Sequence, residues 1–263
     1  MFSFFDLSEQ FCLLFMIFQI SMMVDREKSL RSYTMNILRA QRDQLFEYGP
    51  FNIRRQRPGE AFGPLEIIDQ MTLQLDATIP LHSHQDSEIF SYVWRGSLLH
   101  STEQGETHSL NAKRALMLSA GSGIRFAESA PFIETELLQA TIRPAQNGGE
   151  PQVNTFTRAD GAAANAWTLL AGPHGSEAPL ALNQAIYIYD LKLNRGQQLD
   201  APQRAGYSSW ITVLDGIVRM DNEWLHKGDS VSDTAPLPAL TGERDATLIA
   251  FLVQEGAPNP SSA

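Results

Sequence analysis

A single cysteine, Cys12, stands in 263 residues. That excludes an intrachain disulfide and a cysteine-based metal centre, and it suits a reducing cytoplasm, where we expect the protein to reside. Any metal would have to be held by histidine and carboxylate. Basic charge is also scarce: 20 Lys and Arg stand against 30 Asp and Glu, for a net charge of -10. Contact with phosphate needs clustered Lys and Arg. The longest basic cluster is Arg54, Arg55 and Arg57, which argues against direct nucleic-acid binding and against an anionic membrane surface. Long apolar runs are missing too. The stretch Phe11 to Val24 is 14 residues interrupted by Gln19 and Ser21, whereas a bilayer span needs about 20. Only Asp6 and Glu9 precede it as charges, and no small-residue cleavage site follows, so it does not read as a secretory signal. We expect residues 1–34 to lie outside the fold and Met35 to open the folded chain.

What remains is ordinary globular composition, 43% hydrophobic and 19% charged, in a chain long enough for one large domain or two small ones. Met71, Leu73 and Leu75 alternate with Gln70, Thr72, Gln74 and Asp76, the period of a half-buried strand. Gln104-Gly105 marks a hairpin tip between His100 and His108. Ala115–Leu118, a strand carrying Ile124, Phe126 and Glu128, and Leu137–Ile142 follow at short intervals. Short strands separated by Gly and Pro, with little helical period, predict an antiparallel barrel or sandwich. Residues 146–166, rich in Gly, Ala, Asn and Pro, read as a crossing, after which the same grammar restarts. Trp210 to Gly216 is similar to Tyr92 to Gly96, and each is followed by an apolar strand, a polar tip and a short return. This is a weak internal duplication, two small barrels of one design. We expect an N-terminal barrel over 35–145 and a C-terminal one over 146–263.

The chemistry concentrates between Pro80 and Gly96. His82 and His84 stand two apart in an extended segment, so both imidazoles leave one face of a strand. Glu88 shares their parity, and Phe90, Tyr92 and Trp94 are expected to continue that face inward as an aromatic floor. Two imidazoles on one face make half of a metal site, and imidazole suits iron, zinc, copper or nickel; the bland alternative is two exposed strand histidines. In the second half, Pro202 and Arg204 occupy the places twelve to fourteen residues before Gly216 where His82 and His84 stand before Gly96. The second barrel is therefore expected to carry no such site. His100, His108, His174 and His226 read as surface or structurally satisfied histidines.

Residues 52–253 resemble the pirin family, bicupins that include bacterial quercetin dioxygenases. The first family motif has the form H-P-H-x3-E-x3-Y-V-x-x-G, matched here by His82, His84, Glu88, Tyr92, Val93 and Gly96. The second has the form S/T-A-G-x-G-I-x-H-S-E, matched by Ser119, Ala120, Gly121, Gly123, Ile124 and Glu128. The resemblance implies an all-β fold of two tandem cupin domains and one divalent metal ion, Fe(II) foremost. In the family, two histidines of the first motif and a histidine and glutamate of the second hold that ion. Three of the four carry over, as His82, His84 and Glu128; the fourth position is Phe126. Two imidazoles and a carboxylate are also the ligand set of facial-triad Fe(II) oxygenases, whereas an inward Phe126 would leave the site weak or dry.

The resemblance thus implies a quercetin 2,3-dioxygenase-like enzyme acting on a flavonol-like or other enolic aromatic. Glu128 or Glu88 would take the substrate proton. Glu88 could alternatively refill the vacated ligand position or support a ligand by a hydrogen bond. The competing implication is a non-catalytic regulatory or redox-sensing protein that binds metal or ligand and works through a protein partner. A third is a metal-free bicupin kept for packing or small-ligand binding.

Overall fold

The structure, a computed structural model, describes residues 35–256; the expectation for residues 1–34 lies outside the described residues. The chain is all-β, two sheets with the architecture of tandem cupins, and its helical elements among the described residues are the single 3-10 turns Ala40–Arg42 and Glu60–Phe62. An 11-stranded antiparallel sheet runs from Gln44–Glu47 to Gln152–Thr157. A 9-stranded sheet gathers the eight strands from Thr168–Pro173 to Leu240–Gln254 together with Asn36–Leu38. Among the described residues no helix is long and apolar enough to cross a membrane.

Each sheet borrows across the sequence order. Asn36–Leu38 pairs with Ser230–Asp233 of the second sheet before the chain enters the first. Gln152–Thr157, within the stretch read as a crossing, pairs with Arg114–Ser119 of the first. Asp229 fixes the early switch, its carboxylate accepting from Ala40 N at 2.9 Å and Arg39 Nη1 at 3.0 Å. Gln56 completes it, donating to Gly228 O at 3.2 Å and accepting from Ser230 Oγ at 2.6 Å.

The strand Glu88–Arg95 shows why the aromatic residues fall where they do. It is buried on both faces, so apolar residues fall at both parities, Ile89 and Val93 at one and Phe90 and Tyr92 at the other. Ile89 and Val93 pack in the first barrel with Leu73, Leu98, Leu116 and Leu118. Phe90 and Tyr92 turn the other way, into a core shared with Ile188, Trp210 and Phe251 of the second sheet. A buried polar knot closes that interface. Tyr92 Oη donates to Asp190 Oδ2 at 2.8 Å, and Arg158 Nη1 to Asp190 Oδ1 at 2.9 Å. Burial and the neighbouring Asp190 carboxylate both push the Tyr92 phenol upward.

Gly96 and Gly216 occupy equivalent bends. Both have positive φ, 89° and 85°. A Cβ would stand 2.5 Å from Glu134 O at the first and 2.1 Å from Asp245 O at the second. Only glycine meets both demands, and that is why the two glycines were recognisable as one recurring position.

Candidate functional site

His82 and His84 sit on the strand Thr78–His84, paired with Ile124–Ser129 so that Phe126 lies opposite His82 and Ile124 opposite His84. The register slips between Phe126 and Glu128, leaving Glu128 opposite Ile79. On its other edge the Ile124–Ser129 strand pairs with Ser97–Thr102, which sets Glu128 against His100. The result is a ring of histidines around one phenylalanine. Phe126, 1% exposed, has its ring centroid 4.5 Å from that of His82, 5.1 Å from His84 and 4.4 Å from His100; the His84 ring is stacked on it at 13°.

The polar groups of this cluster are unevenly satisfied. His82 Nδ1 lies 2.8 Å from Pro80 O; a carbonyl only accepts, so Nδ1 carries a proton, and in the neutral imidazole the lone pair is on Nε2. Glu128, 1% exposed, accepts from Gln139 Nε2 at 2.7 Å through Oε1, and His100 Nδ1 stands 3.5 Å from the same oxygen. Glu128 Oε2 and both ring nitrogens of His100 have no hydrogen-bond partner among the described residues. Burial first, then the neighbouring His82, pushes the His84 imidazole below its ordinary range.

His82, His84 and Glu128 therefore face one interior region, but they do not make a metal centre as they stand. Among the described residues no three His, Cys, Asp or Glu side chains are gathered to hold one ion. The benzyl group of Phe126 lies against all three imidazoles and offers no lone pair. The donor set in this arrangement does not fit a cupin metal.

Two expectations from strand parity are corrected. Glu88 does not continue the histidine face: Gln85–Ser87 is a turn, with Asp86 at φ 49°, and the next strand starts facing the second barrel. There the Glu88 carboxylate accepts from Asn183 N at 2.9 Å, Asn183 Nδ2 at 3.0 Å and Ser119 Oγ at 3.2 Å. Burial pushes it up while those hydrogen bonds oppose the shift. Phe90 and Tyr92 leave with it, so they form no floor beneath the imidazoles; Trp94 donates to Glu136 Oε2 at 2.9 Å. The third correction concerns His100, which is 1% exposed and belongs to the cluster. The alternation of Ser97–Thr102 carried the signal, since Leu98, His100 and Thr102 share the buried parity.

The remaining histidines lie elsewhere. His108 pairs across the hairpin with His100, ring centroids 6.3 Å apart, and meets Glu106 at 3.0 Å. His174 and His226 are exposed on the second barrel. Where that barrel would place its own imidazoles, the Arg204 guanidinium lies 3.9 Å from the centre of the Tyr187 ring.

Comparison with known proteins gives the same two-part organisation. The pirin family model matches residues 34–142, and that of the quercetinase C-terminal cupin domain matches residues 169–252. The quercetin 2,3-dioxygenase of Escherichia coli K12 is 29% identical over 163 residues, 61% of this chain and 69% of that protein. A pirin-like protein of Caulobacter vibrioides is 26% identical over 192 residues, 72% of this chain and 82% of its own length. In three dimensions the chain is similar to the bacterial pirin YhhW of Escherichia coli in its complex with nickel(II). The TM-score is 0.75 at 21% identity, covering 84% of this chain and 100% of that one. Both halves of one bicupin design are thus matched in order on an all-β pair of sheets, and the chain is similar to the pirin family in each half.

Proposed function

We propose that this protein is a pirin-family bicupin that has exchanged the metal chemistry of its quercetin-dioxygenase relatives for a non-catalytic binding role, regulatory in character. The observation that carries this reading is the Phe126 ring, buried in contact distance of His82, His84 and His100. Where the family pattern calls for an imidazole ligand, a side chain without a lone pair both removes a bond to the ion and fills the space the ion would take. Loss of a group that only supports a ligand already costs about 10–100-fold in metal affinity or activity, and loss of the ligand itself removes a bond to the ion outright. The histidines persist as packing partners of that ring. The ligand offered to the cell is then a protein or small-molecule surface rather than an activated oxygen.

A second reading keeps the dioxygenase, with Fe(II) on His82, His84 and Glu128 and a flavonol-like aromatic as substrate. One observation favours it: Glu128 Oε2 is buried without a partner among the described residues, and a buried carboxylate oxygen is costly unless something satisfies it. Metal analysis after expression in iron-supplemented medium, with oxygen uptake measured on a flavonol panel, separates the two. The non-catalytic reading expects well under one metal ion per chain and no flavonol-dependent uptake. One ion per chain, lost in His82→Ala, together with flavonol-dependent uptake, overturns it.

A further inference from the structure

A second polar region lies away from the histidine cluster, in the cleft between the barrels. Two adjoining cavities of about 390 and about 400 Å³ share Gln146, His174 and Asn183. Their size is in the range of small-molecule sites, which are usually lined mainly by apolar side chains; the first cavity is instead lined largely by amides, hydroxyls and the carboxylates of Glu88 and Glu150, whereas the second mixes amides with Pro173 and Leu182. Its base is rigid. Glu88 is clamped by Asn183 and Ser119. The connecting segment is held by Gly148 N donating to Asp86 Oδ1 at 2.7 Å and by Ser122 N donating to Gly149 O at 2.9 Å.

Two side chains there are poised for something else. Ser87 is 9% exposed and lines the first cavity; Gln184 is 3% exposed and lines the second. Ser87 Oγ and Gln184 Nε2 have no hydrogen-bond partner among the described residues. Buried groups of this kind are seldom left unpaired, and each comes from a different barrel. The hydroxyl can donate or accept, the amide nitrogen only donates, and the Glu88 carboxylate only accepts. Ser87 Oγ and Gln184 Nε2 are shut off from solvent as they stand, so a ligand meets them only when those side chains turn outward; it then needs both donors and acceptors, and adjacent alcohols supply both. Neither cavity is lined by a lysine or an arginine, so an anionic ligand finds no counter-charge, and the polar walls of the first cavity disfavour a flat aromatic.

From Ser87, Glu88 and Gln184 we infer that the inter-barrel cleft binds a neutral polyhydroxylated molecule of monosaccharide size. The inference is independent of whether the first barrel holds metal. It is tested on the full chain by saturation-transfer NMR and thermal melting with myo-inositol and with glucose. At least one should give a saturable signal at millimolar concentration, retained in His82→Ala and reduced at least tenfold in affinity in both Gln184→Leu and Ser87→Ala. Without ligand, Gln184→Leu should melt no lower than the parent, since it removes an unpaired buried donor rather than a contact. Polyols also stabilise proteins generally by exclusion from the surface; that effect does not saturate and is equal in all variants. If only this uniform effect is seen, or if binding survives both substitutions, the cleft is satisfied by water and the inference falls.

Discussion

Phe126→His puts back the imidazole that the family pattern expects, on a strand whose register is known. Phe126 faces His82 across the strand pair and stands two residues before Glu128. The parent ring is 1% exposed, so the smaller and more polar imidazole gives up packing and carries a nitrogen into a dry place. That costs about 1–3 kcal/mol. For a chain of this size each kcal/mol moves the melting temperature by about 2–4 °C, so the metal-free variant should melt roughly 2–12 °C below the parent. Metal acts in the opposite direction, because an ion that binds only the folded state stabilises it by mass action. At a hundredfold excess over its Kd the gain is about 2.7 kcal/mol, enough to offset most or all of the packing loss. Melting curves with EDTA, and with Fe(II), Ni(II) or Zn(II) under nitrogen, read both effects, and the same variant carrying His82→Ala controls for binding elsewhere. The expected pattern is a parent insensitive to metal and a variant that melts lower without it and recovers with it. A parent that gains as much as the variant refutes the view that Phe126 closes the site. Two proteins equally indifferent to metal show that more than this one side chain was lost.

Other consequences follow from buried groups and tight bends elsewhere in the fold. Burial pushes the Asp43 carboxyl up to about 6 from its ordinary 3.8, against the Gln56 hydrogen bond and the Arg54 charge. The folded state thus prefers the protonated acid, and stability should fall as pH rises from 3.8 towards about 6 and then level off. Asp43→Asn should therefore raise the melting temperature at about pH 8 but hardly at all near pH 3.5; an equal shift at both would rule out titration as the cause. Asp190 is fully buried beneath Arg158 and Tyr92, so Asp190→Ala leaves a cation and a hydroxyl unpaired and should cost about 3–5 kcal/mol in urea unfolding; a loss below about 1 kcal/mol means water replaces the carboxylate readily. Gly216→Ala adds a Cβ 2.1 Å from Asp245 O at φ 85°; the left-handed backbone alone costs about 1–2 kcal/mol, and a variant as stable as the parent shows that the bend can relax.

The fold was legible because its signals are local and repeated. The hairpin tip at Gln104-Gly105 and the recurring glycines Gly96 and Gly216 each act within one turn, and the structure keeps them as the Ser97–Thr102 and Thr107–Asn111 pair and two matching bends; the alternation read over Gln70–Asp76 holds only in part, since the strand Leu65–Leu73 ends before the exposed Leu75 and buries Gln70 as well. What lay beyond reach was which barrel each end of a sheet borrows. Asn36–Leu38 is three residues long, and its place beside Ser230–Asp233 is decided by Asp229 and Gly228, nearly two hundred residues away. No period in the sequence reports a contact of that range.

The site divides along the same line. Parity within a strand put His82 and His84 on one face, but carrying that parity through Gln85–Ser87 misplaced Glu88 and the aromatic residues, because a single left-handed residue, Asp86, re-aims the chain. Parity also held the clue to His100, whose membership depends on a pairing between strands: Glu128 meets His100 on one edge and slips past His82 on the other. Once that pairing is known, the survival of the imidazoles beside Phe126 has a physical reason that does not require a metal. Three flat rings lie 4.4–5.1 Å from the centre of a fourth, and such contacts contribute about 0.5–1.5 kcal/mol each for aromatic pairs beyond the area they bury. The imidazoles thus have a packing role beside Phe126 that needs no metal, and the Phe126→His measurement tests whether that ring is what closes the site.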